Sequence, residues 1–172
     1  MNKFIHIFLL LLVFTSTSFS QTISVMSINA QNLFDTLDDF EKDDKAFLPI
    51  ELKQSQKHKN ECNNISVKRW RMECFFQDWN KETKDAKLNN IAKVIISFGN
   101  NGADVVGLQE IENINILGQL FELLKPYGYI DFKLLESNDK RGVDTAFISK
   151  YKMKNPKLHY VDFSPKFETI DT

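Results

Sequence analysis

Asp104-Val105-Val106-Gly107-Leu108-Gln109-Glu110-Ile111-Glu112-Asn113 is a short apolar run that turns acidic at its end. Asp104–Gln109 reads as a strand buried on both faces, because a brief continuous apolar stretch lacks the alternation of a half-exposed strand. Upstream, Leu88, Ile91, Ala92, Ile95 and Phe98 recur at helical spacing from Lys84 to about Phe98, and Gly99-Asn100 ends the pattern. Earlier still, Thr22–Ile28 alternates in β-favouring residues and reads as a strand. Downstream, a second helix is expected over about Asn115–Leu124, with Leu117, Leu120, Phe121 and Leu124 inward. Strands return at about Ile130–Glu136, Val143–Ser149 and Leu158–Phe163, the first two separated by the turn Asn138–Gly142. This order predicts an α/β layered fold, with helices packed on a largely buried sheet.

If the helix after Lys84 is a crossover, the strands before and after it run parallel and end on one edge of the sheet. That edge is where open α/β sheets place ligands. Asn29 and Glu110 stand there, each at the end of an apolar strand. A carboxylate so placed is costly to desolvate unless it is paired or bound to a cation. One carboxylate and one amide oxygen suit Mg²⁺, which uses few protein ligands and keeps several waters. Taken singly, a strand-end Asn is as readily a turn former, and a strand-end Glu a solvated acid.

Between about Asp35 and Asn80 no periodicity is sustained, so the segment reads as a disordered or loop-rich insertion. Its first part is acidic (Asp35, Asp38, Asp39, Glu41, Asp43, Asp44). Its second mixes basic and aromatic residues (Lys68, Arg69, Trp70, Arg71, Phe75, Phe76, Trp79). The acidic run lacks the alternating acids and central glycine of a calcium-binding EF-hand loop, and a solvated loop is expected.

The 172 residues are 42% hydrophobic and 26% charged, enough for one modest domain with a core, and the formal net charge of −1 supplies no overall field for a polyanion. Residues 1–20 carry Lys3, the apolar stretch Phe4–Phe14 and the small-residue end Ser18-Phe19-Ser20. These are the parts of a secretory signal peptide, and the stretch is shorter than the roughly 20 residues of a membrane-spanning helix. A secreted or periplasmic domain over 21–172 is therefore expected, with no membrane span after signal cleavage. In an oxidising compartment the close pair Cys62 and Cys74 is expected to form a disulfide, free thiols being the alternative. Two thiols without paired histidines nearby do not make a tetrahedral zinc site.

Three stretches resemble a known family. Ser27-Ile28-Asn29-Ala30-Gln31-Asn32-Leu33-Phe34-Asp35 is similar to the opening motif of the endonuclease/exonuclease/phosphatase superfamily, the DNase I-like enzymes. Asp104–Asn113 resembles its second motif, a strand ending in the metal-binding glutamate. Asp139-Lys140-Arg141-Gly142-Val143-Asp144-Thr145-Ala146-Phe147 is similar to its later arginine-bearing turn and core strand. The stretch from Cys62 to Cys74, with Trp70 and Trp79, looks like an insertion of exported bacterial members. The resemblance implies part of a four-layer α/β sandwich and metal-dependent phosphodiester hydrolysis, with nucleic acid as the expected substrate. It implies Glu110 as the main Mg²⁺ ligand, with Mn²⁺ or Ca²⁺ as substitutes. Asn29 would hold phosphate or orient the metal site, and Arg141 is a weaker phosphate contact. Asp144 is expected to tether that turn, Glu112 to be a solvated acid and Asn113 to cap the next helix.

The family's Asn-His, Gly-Asp-x-Asn and Ser-Asp-His segments do not occur in the sequence, and His159 in Lys157-Leu158-His159-Tyr160-Val161 reads as an ordinary strand residue. The chain is accordingly expected to be the N-terminal portion of the domain, with low or absent turnover alone. Two alternatives are a phospholipid or sugar phosphoesterase, and an exported, non-catalytic nucleic-acid-binding module that uses Lys68–Trp79.

Overall fold

The computed structural model describes residues 22–99 and 101–159. The signal-peptide expectation lies outside them, as does most of the strand expected at Leu158–Phe163. Leu158 and His159 are described and belong to no strand, which corrects the reading of His159 as a strand residue.

Four strands form one mixed sheet: β1 (Val25–Leu33), β2 (Val105–Ile111), β3 (Asp131–Leu135) and β4 (Asp144–Ser149), in the order β1-β2-β4-β3. β1 and β2 are parallel, and β4 runs antiparallel to both β2 and β3. The parallel pair needs a crossover, supplied by helix α3 (Lys81–Ser97). α3 starts at Asn80, whose side-chain oxygen accepts from the Thr83 amide at 2.9 Å. It turns Leu88, Ala92 and Ile95 to the sheet and ends before Gly99 (φ +58°). At the start of the parallel pair, the Ser24 amide and hydroxyl both donate to Asp104, at 2.9 and 2.7 Å. Helix α4 (Ile114–Leu124) follows β2 directly, and Asn113 Oδ1 accepts from the Asn115 and Ile116 amides at 2.9 and 3.0 Å.

Both helices cover the same face of the sheet. Met26, Ile28, Val106, Leu108, Ala146 and Ile148 pack there against Leu88, Ile95, Leu117, Leu120 and Leu124. The facing register rows Ser27–Gly107–Phe147 and Asn29–Gln109–Thr145 point to the other side, where Ser27 and Asn29 are exposed. The chain therefore presents one buried and one largely open sheet face, with the candidate residue Asn29 in a row with Gln109 on the open one.

The segment 35–80 corrects the sequence reading. It contains 3₁₀ turns at Lys45–Phe47 and Ile50–Gln54 and two helices, α1 (Gln56–Asn63) and α2 (Lys68–Phe76). Each helix is about two turns long, too short to show a periodic apolar stripe and too short to be stable alone. Other contacts hold them. Cys62 in α1 and Cys74 in α2 form a disulfide with Cα atoms 5.6 Å apart. The buried Lys53 ammonium donates to the Ala46 carbonyl at 2.9 Å. A small aromatic cluster joins the insertion to the sheet: Phe34 stacks on Phe47 at 4.1 Å, Trp79 meets Phe47 edge-on, and Trp79 Nε1 donates to the Phe34 carbonyl at 3.2 Å. Among the described residues no helix is long and apolar enough to cross a membrane.

Candidate metal and phosphate site

The regular pairing of β1, β2 and β4 breaks at one place. β1 and β2 shift register between Asn29 and Leu33, and β2 and β4 shift between Gln109 and Ile111. Three non-glycine residues in this break occupy the left-handed region: Gln31 (φ +53°), Asn32 (φ +63°) and Glu110 (φ +61°). Such conformations cost on the order of 1–3 kcal/mol each and persist only where surrounding contacts enforce them.

Those contacts run directly to the candidate side chains. Asn29 Oδ1 accepts from the Gln31 amide at 2.7 Å, and Glu110 Oε2 accepts from the Asn32 amide at 2.9 Å. Lys87, from α3, donates its ammonium to the carbonyls of both Gln31 and Asn32, the latter at 3.1 Å. Burial pushes the Lys87 ammonium below its ordinary range, while the Glu110 carboxylate acts to raise it. The Lys87 Nζ also lies over the Trp79 ring, 5.5 Å from its centroid. Sequence reading missed Lys87, because a lysine on an amphipathic helix carries no mark of which backbone carbonyl it will reach.

The result is a half-buried carboxylate with one oxygen fixed by an amide. Among the described residues, no hydrogen bond reaches its Oε1. The donors fit a hard divalent cation: one free carboxylate oxygen and one amide oxygen with a second lone pair, both where the parallel pairing of β1 and β2 breaks. β1 runs on to Leu33, so Asn29 lies within the strand and not after its end as the sequence suggested.

Arg141 stands on the turn before β4. Its Nε and one terminal nitrogen form a fork on Asp139, at 3.2 and 2.9 Å, which holds the Asp139 carboxyl below its usual range. The other terminal nitrogen is available to an anion, and the Glu110 charge contributes to holding Arg141 protonated. Asp144 has a different place. Its Oδ1 accepts from the Ser137 amide at 2.7 Å, and the Ser137 hydroxyl donates to the Val143 carbonyl, so Asp144 ties down the base of the turn. Asn29, Glu110 and Arg141 thus gather at one edge, with Asp144 behind them.

Glu112 departs from expectation. Read as a solvated acid, it is instead 4% exposed. Its Oε2 accepts from the Asp35 amide at 2.6 Å, and its Oε1 finds no partner. Burial is the main cause that pushes its pKa to about 8, reinforced by the charges of Asp35, Asp39 and Asp44. Asp35 and Asp44, also read as solvated, are buried: Asp35 accepts from the Leu37 amide and the Asn113 side chain, and Asp44 from the Asp39 amide. Each acid caps a turn of the chain, which explains how a polar segment stays compact.

His58, within the segment read as loop-rich, is buried against the disulfide. Its Nε2 lies 3.0 Å from the Cys74 carbonyl oxygen and 3.2 Å from Cys62 Sγ. His58, Cys62 and Cys74 are the one group among the described residues with three candidate ligand atoms within 4.8 Å. With both sulfurs joined to each other there is no thiolate to bind a cation, so this is a structural staple.

Comparison with known proteins identifies the family. The family model described as the Endonuclease/Exonuclease/phosphatase family matches residues 72–169, more than half of the chain. That span contains β2 with Glu110 and the Arg141 turn. No curated protein and no solved structure matches. With its mixed sheet backed by helices, consistent with a partial DNase I-like fold, the chain belongs to the endonuclease/exonuclease/phosphatase family.

Proposed function

We propose that this chain provides the metal- and phosphate-binding part of an exported enzyme that hydrolyses phosphodiesters in nucleic acid. The superfamily acts on phosphodiesters and is generally dependent on a divalent metal. The observation that carries the reading is Glu110: a strained, strand-end carboxylate whose one oxygen is fixed by the Asn32 amide while the other is open. A residue held in that conformation by hydrogen bonds to another strand is pre-organised for a partner.

Glu110 and Asn29 would hold the ion, with Mg²⁺ as the first choice. When bound, it neutralises charge on the phosphate and favours attack by water. The protein's own contributions are positional. Asn32 and Lys87 fix the carboxylate and its loop, Asp139 orients Arg141, and the remaining Arg141 N–H groups can donate to a phosphate oxygen. Asp144 keeps the turn at its height above the sheet edge.

Manganese binding, read by electron paramagnetic resonance, tests the site without turnover. Glu110→Gln is expected to abolish one tight site, and an unchanged titration would overturn the assignment. Plasmid DNA, RNA, phosphatidylcholine and sugar phosphates offered with Mg²⁺ to the full-length counterpart of this chain test the substrate class; cleavage confined to the lipid would replace nucleic acid by a phospholipid. Export is supported by the apolar leader and by the disulfide. Its test is the N-terminus of the mature protein, expected at Gln21.

A further inference from the structure

Trp70 is 59% exposed, an unusual position for the largest apolar side chain in a region that buries its other tryptophan. It lines a cavity of about 390 Å³ together with Asn32 and Arg141, which belong to the site edge, and with Asp43, Lys45 and Glu73. The volume lies within the roughly 300–1,000 Å³ of small-ligand sites. Asn32 is the residue whose amide holds Glu110, so one end of the cavity lies beside the candidate metal site.

The wall that carries Trp70 is fixed. α2 is tied to α1 by the disulfide, and the Arg71 guanidinium donates to the Ile65 carbonyl at 3.1 Å. The insertion is also fastened to the arginine turn, since the Asp43 amide donates to the Lys140 carbonyl at 2.9 Å. An exposed aromatic face on a fastened helix and the Arg141 guanidinium therefore border one space.

Its charge decides what fits. The two acids and two cations offset, and three of the four are engaged. Lys45 is held by Asp38 at 2.6 Å and also reaches Asp44. Glu73 is held by Arg69 at 2.9 Å, and Arg141 by Asp139. Such a cavity is a poor trap for a phosphate in its interior. It suits a neutral, planar ring with polar edges, stacked on Trp70, whose attached phosphate reaches Arg141 and Glu110. We propose that the cavity is a nucleobase subsite, in which Trp70 stacks on the base adjoining the phosphate to be cleaved. This rests on the phosphodiesterase reading above and adds to it a reason for preferring nucleic acid.

The test measures binding of two fluorescent oligomers of equal length to the intact chain with Mg²⁺: a single-stranded oligodeoxynucleotide and an abasic phosphodiester. Trp70→Ala is expected to weaken the base-bearing oligomer about tenfold, in line with the loss of one base–aromatic stack. Trp70→Phe is expected to restore most of that loss, and neither change should alter binding of the abasic oligomer. Equal loss for both oligomers, or loss for neither, overturns the subsite. In those cases abasic binding that still requires Mg²⁺ and Glu110 leaves the phosphodiesterase reading standing. Failure of the wild-type chain to bind either oligomer sinks both.

Discussion

The helix-backed sheet and the insertion are two solutions to compactness in one chain. The sheet buries a continuous apolar layer: Ile95, Leu108, Leu117, Leu120, Leu124 and Ile148 are fully inaccessible. The insertion buries little of that kind. It is held by a disulfide, a histidine packed on it, buried Lys53, and acids that cap its turns. The first is a cooperative core, in which each side chain touches many others. The second is a set of separate fastenings, each replaceable at local expense. The site edge lies where the two meet, with Glu110 from the sheet and Asp43 and Trp70 from the insertion.

Three variants put that contrast at risk, in descending order of effect. Leu108→Ala opens a cavity between the sheet and both helices, and is expected to lower stability by about 2–5 kcal/mol in urea unfolding, moving every probe together. If the loss were confined to the insertion, the idea of a single sheet core would fail. Replacing Cys62 and Cys74 together with serine is expected to remove about 3 kcal/mol, as for a closed loop of this size. Here the signature is local. Limited proteolysis should cut between residues 50 and 77 while the hydrogen-exchange protection of β2 is retained. Loss of β2 protection would show that the insertion and the sheet fold as one unit.

Glu112→Gln probes the joint between the regions. Burial raises the Glu112 pKa from 4.5 to about 8. A carboxyl with a raised folded pKa stabilises most below its unfolded value, and that contribution fades as pH rises from about 4.5 towards 8. The wild-type chain should therefore lose stability over that window, by an amount on the order of a few kcal/mol at most. The glutamine variant should show a flatter profile there when urea midpoints are compared at pH 5 and pH 8.5. An unchanged slope would mean that Glu112 ionises freely in the folded chain.

Where the sequence was legible, the cause was local. The apolar run before Glu110, the Asn113 cap and the stripe of α4 are all decided by neighbours within about one helical turn, and the structure forms each of them. The parallel pairing of β1 and β2 followed from the sequence only on the condition that the helix between them is a crossover, which the structure meets. Glu112 was misread for the opposite reason. Its burial depends on the Asp35 amide, 77 positions away in the chain, and an acid beside a helix cap otherwise looks solvated. α1 and α2 escaped notice because a two-turn helix takes its stability from what it is tied to, here Cys62 to Cys74 and the contacts of Lys53.

By itself, then, the sequence determined the α/β order, the position of Glu110 near the end of β2, and the resemblance that the family match bears out. Only the tertiary structure decided the shape of the edge. The left-handed turn at Gln31-Asn32, the fixed orientation of Glu110, the reach of Lys87 and the cavity between Trp70 and Arg141 each join segments that are tens of residues apart. Backbone preference acts between neighbours, whereas a strained conformation or a shared cavity exists only after distant hydrogen bonds and packing have brought its parts together.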